Sequence, residues 1–301
     1  MNILTTILAV VLAPLFIGIV NQTKAFFAGR KGPGYLRLYA DVWKLLGKSC
    51  PRHEHSTWVF AISQPVSFAS VLAAAVIFPW SAASDSACAA SVPVALFFYL
   101  LGAGRFFFVL GALDAGNAFE GMGASREVHF SALVEPIIFI VLGFLTLLTG
   151  ETAFAGMLAG ANSGTWSQNV VPIVLAAFAF IVAILSENCR VPFDDPETHL
   201  ELTMIHEAML LDAGGPDLAF AHYAAALKFE LLSAFFVMMI LPSFGGEWVR
   251  LAAVFLGVAA FSVATGVVES VMARMRFLRT PQTLMGAALV AALAVFLFVC
   301  F

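Results

Sequence analysis

The sequence predicts an all-α polytopic membrane protein of about eight transmembrane helices, with N- and C-termini on the non-cytoplasmic side. Three observations lead there. Of 301 residues, 61% are hydrophobic and only 11% are charged, where a soluble domain carries roughly 25% charged residues. The mean hydropathy is +0.95. The apolar residues also gather into stretches near the roughly 20 residues that a hydrocarbon core requires.

The stretches are Ile3–Val20, Val59–Trp80, Val92–Leu113, Phe130–Gly150, Val170–Leu185, Ala219–Leu241, Trp248–Val271 and Thr283–Phe301. The first reads as an uncleaved span, because MNIL has no basic n-region and no small-residue cleavage site precedes a polar sequence. The fifth is short, and the sixth is interrupted by Lys228 and Glu230. Between the first two spans, GRKGPG forms a turn. After it Leu36, Tyr39, Val42, Trp43 and Leu46 recur at helical spacing, with Arg37, Asp41, Lys44 and Lys48 mostly opposite. That pattern is an amphipathic helix, either lying in the membrane interface or packed under a partner subunit. No repeat or linker divides the chain, so residues 1–301 read as a single membrane domain.

Orientation follows from the basic residues. Twelve of fifteen fall in the odd-numbered loops: seven in the first, Arg126 in the third, Arg190 in the fifth, and Arg274, Arg276 and Arg279 in the seventh. The positive-inside rule makes those loops cytoplasmic. With a net charge of only −4, the expected partner is the lipid bilayer and not nucleic acid. Cys50, Cys88, Cys189 and Cys300 have no CxxC spacing, so no iron–sulfur or zinc site is expected in this chain.

Ionisable residues inside spans are functional candidates, because each is costly unless paired or hydrated. Here they are Arg105, Glu135, Lys228, Glu230 and Glu269, and all fall in the cytoplasmic half of their spans. One reading has them neutralise one another structurally. The other makes them a hydrated proton path. Glu135 stands out because Pro136 follows it, and proline frees a backbone carbonyl that can hold water.

The polar stretch from Glu187 to Lys228 holds eight of nineteen acidic residues and three of six histidines. Its acidic loop, residues 187–218, faces the cytoplasm. Asp194-Asp195-Pro196 reads as a helix start with Asp195 as N-cap. The helix then runs to about Leu211 and ends near Gly214-Gly215-Pro216. Glu197 and Glu201 share one face, and His199 and His206 another. HExxH is absent, which weighs against a metal. Histidine titrates near physiological pH, so the alternatives are a solvated acidic loop or a docking and proton-handling surface.

The run ENCRVPFDDPETHLELTMIHEAMLLDAGGP resembles the signature loop of the membrane subunit of energy-converting NiFe hydrogenases and formate hydrogenlyase. That subunit is homologous to subunit 1 of respiratory complex I. Leu113–Gly116, Gly121–Glu127 with Leu133–Pro136, Glu269-Ser270 with Arg274 and Arg276, and GRKGPG agree with the same family. The resemblance covers essentially the whole chain. It implies a non-catalytic subunit of a prokaryotic inner-membrane oxidoreductase complex, with no cofactor of its own. Such a subunit anchors hydrogenase large and small subunits, which carry the NiFe centre and iron–sulfur clusters, beside antiporter-like membrane subunits. It implies a coupling funnel of Glu135, Glu187, Arg190, Asp194, Asp195, Glu197, Glu201, Glu207 and Asp212, joined by Arg126 and Glu127, and the span charges Arg105, Lys228, Glu230 and Glu269 are the candidates to continue that path inward. It also implies a peripheral-arm interface of Arg126, Glu127, Arg190, His199, His206, Arg274 and Arg276. Arg190–Asp194 leans toward the complex I form, whereas His199 replaces a glutamate of that form. A quinone pocket is therefore possible but not favoured. A quinone-binding subunit is the second reading and an independent ion transporter the third. The coupling ion, proton or sodium, stays open.

Overall fold

The computed structural model describes residues 2–50, 56–80, 92–159, 168–194, 205–241 and 246–300. Among them are the helices α1 (Asn2–Phe27), α2 (Arg37–Leu46), α3 (Trp58–Ile77), α4 (Val94–Asp114), α5 (Ala118–Thr149), α6 (Phe154–Ala159), α7 (Val170–Glu187), α8 (Gly215–Ile240), α9 (Glu247–Val271) and α10 (Thr280–Cys300). All but α2 and α6 are long and apolar enough to cross a membrane, one for each predicted stretch.

The spans differ from the sequence-based bounds in two instructive places. The fourth starts twelve residues before Phe130, where the Asn117 side chain accepts the Phe119 N–H at 3.1 Å and caps α5. At 1.5 Å per residue its 32 residues reach about 48 Å, beyond a hydrocarbon core of about 30 Å. Arg126 and Glu127 therefore sit on a helical extension instead of in a loop. The sixth starts at Gly215, with Pro216 in its first turn, so Gly214-Gly215-Pro216 opens a span and does not close a loop helix. Gly215 has φ +52, and a Cβ there would meet the Lys48 and Ser49 carbonyl oxygens at 2.8 and 3.0 Å, so the site takes glycine.

Small residues set the closest approach in the bundle. On α4, Gly104 and Gly111 lie against Ser67, Ser70 and Ser63 of α3, where a Cβ on Gly111 would come 2.6 Å from the Ser63 Cβ. This is the small-residue packing that substitutes for hydrophobic drive between membrane helices. The same pair is tied at its end. Asp114, the last residue of α4, accepts the N–H groups of Thr57 (2.8 Å) and Phe60 (3.0 Å), supplying an acceptor to the orphan donors at the start of α3.

The two ends of the bundle have opposite character. Away from the polar loops, α6 inserts Phe154 among Phe78, Phe97 and Phe235, with ring centroids 5.2–5.8 Å apart. Trp80 stacks on Phe255 beside them. Together they form a buried aromatic cluster. The other end carries the α1–α3, α4–α5, α7–α8 and α9–α10 connections and most of the basic residues.

Helix α2 lies at that basic end against α1 and α8. Its predicted apolar stripe splits: Tyr39 and Val42 are half-buried, while Leu36, Trp43 and Leu46 are exposed. Tyr39 and Tyr223 meet α1 where Pro14 interrupts it. Proline has no N–H, so the Val10 carbonyl lacks its helical donor. The Tyr223 hydroxyl donates to it at 2.7 Å, and the Tyr39 hydroxyl donates to the neighbouring Val11 carbonyl. Burial above all pushes the Tyr39 phenol upward, so it keeps the proton it donates.

The predicted loop helix is only partly described, since Asp195, Glu197, His199 and Glu201 lie outside the described residues. From Ile205 onward the chain is not α-helical: it bends, makes a 3-10 turn at Ala208–Leu210 and ends in a turn. Tertiary partners override local propensity here. Asp194 accepts the Ile205 N–H at 3.1 Å and Glu120 accepts the Asp212 N–H at 2.8 Å. Between those two anchors, Met209 and Leu210 bury themselves with Phe108 and Ala124.

Candidate functional site

The spans bring three of the intramembrane charges, Arg105, Glu135 and Lys228, together at Glu187. Glu187, the last residue of α7, is buried. Arg105 of α4 donates through Nη1 to both Glu187 carboxylate oxygens at 2.8 Å, and through Nη2 to Glu135 of α5. Lys228 of α8 lies 2.9 Å from Glu187 Oε1 and also donates to the Glu187 main-chain oxygen at 2.8 Å. A cation at the last carbonyl of a helix is favoured by the helix dipole. Asn188 finishes the cap by donating to Ile184 O at 2.8 Å. Glu187 thus receives two cations, and Arg105 serves two glutamates. Charge-assisted bonds of this kind are what make ions tolerable in a low-dielectric interior.

A second cluster closes the basic end. Glu269 of α9 lies 3.0 Å from Lys24 of α1 and 3.3 Å from Arg190, whose guanidinium sits 5.5 Å above the Phe229 ring. Arg274 reaches Asp194 at 3.1 Å, and the Met275 N–H donates to Pro192 O at 2.9 Å. The α9–α10 connection is thereby fastened to the start of the acidic loop. Arg276 stays exposed, and Arg126 lies 5.5 Å above the Phe277 ring.

A row of cavities that share lining residues lies beside these clusters. The first, with room for water over about 70 Å³, touches Tyr99, Arg105, Glu135, Phe139 and Glu187. It shares Leu101, Arg105 and Glu187 with a second of about 70 Å³, lined also by Glu127, Cys189, His206 and Lys228. That one shares Asn188, Cys189, His206 and Ala225 with a third of about 240 Å³, which adds Arg190, Asp194, Glu207, Asn21 and Leu38. Through Ile17, Asn21 and Leu38 the third meets a fourth of about 430 Å³ beside Lys31 and Arg37. A water needs about 10–15 Å³ of such space, so each small chamber holds a handful. The line therefore runs from Glu135, on the lateral surface with its side chain 51% exposed, to the groove between α1 and α2.

Several expected residues change place. Glu127, expected both in the funnel and at the arm interface, and His206, expected at that interface, line the inner chamber. Glu127 is buried and accepts from the Cys189 thiol at 3.5 Å. Burial and the neighbouring Glu127 and Asp194 carboxylates push that thiol well above its ordinary range. His206 stacks on Phe108 at 4.8 Å, and its Nε2 is buried without a hydrogen-bond partner. Burial, with help from nearby positive groups, pushes it down to about 3, so it is a neutral imidazole at physiological pH and not a proton switch. Glu230 leaves the expected network: it lines none of these cavities. Asp212 lies under the loop, with Asn117 3.5 Å from its carboxylate.

Sequence reasoning missed three residues here. Lys24 sits near a span end and looked like an ordinary loop cation. Glu120 is wholly buried and holds the Asp212 backbone, although it fell in what read as a loop. Asn188 was hidden beside Glu187. Of the described cysteines, Cys189 is in the inner chamber, Cys50 donates to Asp217 at 3.1 Å, and Cys300 ends α10.

Comparison with known proteins agrees along the whole length. Residues 1–300 match the family described as NADH dehydrogenase. Hydrogenase-4 component C of Escherichia coli is 32% identical over 298 residues, covering 96% of this chain and 93% of that protein. Formate hydrogenlyase subunit 4 of Escherichia coli is 29% identical over 277 residues, covering 90% and 89%. A subunit of the NADH-quinone oxidoreductase of Brevibacillus brevis is 32% identical over 180 residues, covering 58% and 51%. In fold, a chain of the membrane-bound sulfane sulfur reductase, an archaeal respiratory membrane complex, superposes with a TM-score of 0.82 at 19% identity, covering 98% of this chain and 97% of that one.

Proposed function

Because the chain belongs to the NADH dehydrogenase family, we propose that it is the non-catalytic membrane subunit of a hydrogenase-type redox complex, anchoring an electron-transfer arm and coupling it to ion movement. The observation that carries this reading is the cavity line. It lies between the acidic loop at the basic end and a Glu187–Arg105–Glu135 relay that emerges on the side of the bundle, while the opposite end holds a buried aromatic cluster. An ion path of that shape delivers charge sideways to a neighbouring membrane subunit, not across this chain alone. The basic end is taken as cytoplasmic on the distribution of lysine and arginine. The arm above it would carry the NiFe centre and iron–sulfur clusters, and antiporter-like subunits would receive the ion at Glu135.

Within the chamber, each group has a chemical role it can perform. Glu187 holds a carboxylate between two cations, Glu127 offers a second carboxylate beside it, and waters in the intervening space can pass protons from one to the other. The third cavity favours a second reading, in which it takes a quinone head group between Arg190 and the unpartnered His206 Nε2.

Ala225 lines both chambers at their junction, so Ala225→Leu separates the readings. In inverted membrane vesicles the variant complex is expected to keep electron transfer while losing most ion uptake. Unchanged uptake per electron would overturn the path. Loss of both activities, with quinone extractable from the wild-type complex and not from the variant, would favour the second reading.

A further inference from the structure

Glu230 is an acid that the cavity line does not use. It lies two residues after Lys228 on α8, about 200° around the helix. Lys228 points to Glu187, so Glu230 points away from that cluster. Tyr223, two turns earlier on the same face, reaches α1 at the Val10 carbonyl. The carboxyl group is fully buried, and neither oxygen has a hydrogen-bond partner among the described residues. The titratable groups within electrostatic range are the Tyr39 phenol of α2 and the Tyr223 phenol. Among the described residues no cation is paired with it: α1 has no charged residue before Lys24, α3 has none, α7 has none before Glu187, and α9 has none between Arg250 and Glu269. On α2, Arg37 is engaged with Asp41 at 3.5 Å and Lys44 is exposed.

An ionised carboxylate in that setting would forfeit its hydration for nothing, whereas a neutral acid needs a single acceptor. Both phenols have given their protons to the α1 carbonyls beside Pro14, so neither hydroxyl is spare to donate to an ionised Glu230. We propose that Glu230 is a second proton-binding site, separate from the cavity line: a neutral carboxylic acid sealed in the joint of α1, α2 and α8, which exchanges its proton only when α2 moves off that joint. The inference goes beyond the coupling role proposed above and stands whether or not the cavities conduct.

Infrared spectroscopy of the assembled complex at neutral pH tests it. The wild-type minus Glu230→Gln difference should contain the carbonyl stretch of a neutral carboxylic acid, and glutamine keeps the side-chain shape. On transfer to deuterated buffer that band should shift slowly, and several-fold faster in Tyr39→Phe, which gives up the α2–α1 hydrogen bond. A difference containing only carboxylate bands would overturn the neutral site. Exchange equally fast with and without the Tyr39 hydroxyl would overturn the seal. Neither readout depends on ion uptake, so the outcome is independent of the Ala225→Leu experiment.

Discussion

At the scale of the residue, Glu187 is the hub, because two cations are arranged around its one carboxylate. Glu187→Gln removes the charge and leaves Arg105 with Glu135 alone and Lys228 with a backbone oxygen. Breaking one partner out of a buried ion network costs about 3–5 kcal/mol. The purified complex should therefore lose that much unfolding stability or dissociate, read by thermal unfolding in mild detergent. His206 gives a pH signature. Its ordinary value is 6.5 and burial lowers it to about 3, so between those values the unfolded chain binds the extra proton. Stability is then fully present above 6.5 and declines as pH falls through the window, by at most about 1.4 kcal/mol per pH unit. His206→Phe keeps the stack on Phe108, has nothing to titrate, and should flatten that decline in an acid-unfolding series. Arg105, Glu135 and Lys228 were legible in the sequence because charge inside an apolar stretch is conspicuous, and Glu187 because it opens the acidic loop. Lys24 and Glu120 were not, because a charge near a span end looks like a loop residue until the fold brings a partner to it. Glu127 and His206 were seen but misplaced, since sequence does not reveal which side of a helical extension or a bent loop faces inward.

At the scale of the element, the spans follow from hydropathy and the connections do not. The acidic loop carries the N-cap and proline signals of a helix, yet after Ile205 it is shaped by two carboxylates that take up its N–H groups and by Met209 and Leu210, which bury against α4 and α5. Periodicity has no access to such long-range partners. The same applies to α2, whose helical period was readable while its division into a protein-facing and an exposed side was not. The donor missing at Pro14 within the continuous α1 shows why the division matters, because a side chain from another helix replaces it. Tyr223→Phe leaves the Val10 carbonyl without that donor and should cost about 1–3 kcal/mol, measured as a lower unfolding temperature. Restoring the tyrosine recovers it, whereas histidine, too short to reach α1 along the same line, should not.

At the scale of the whole molecule, the bundle has a polar end and an aromatic end, and the proposed passage would leave by the side. Composition and the one-sided basic loops made the class and the two ends legible, but the lateral exit depends on the exposure of Glu135, which only packing decides. The arrangement of charges has one further meaning, for biosynthesis. Arg105 and Glu135 belong to consecutive spans, and so do Glu187 and Lys228. Each pair is of opposite sign, so two hairpins inserting as units would each carry a cation and an anion that offset one another. A lone arginine at the centre of an inserting helix costs about 2.5–3.5 kcal/mol on the insertion scale. The α4–α5 hairpin carrying Glu135→Gln should accordingly insert less completely than the wild-type hairpin when followed by glycosylation mapping in microsomes. Exchanging Arg105 and Glu135 should restore insertion. The relay that serves the finished protein would then also be the device that lets its most polar spans enter the bilayer.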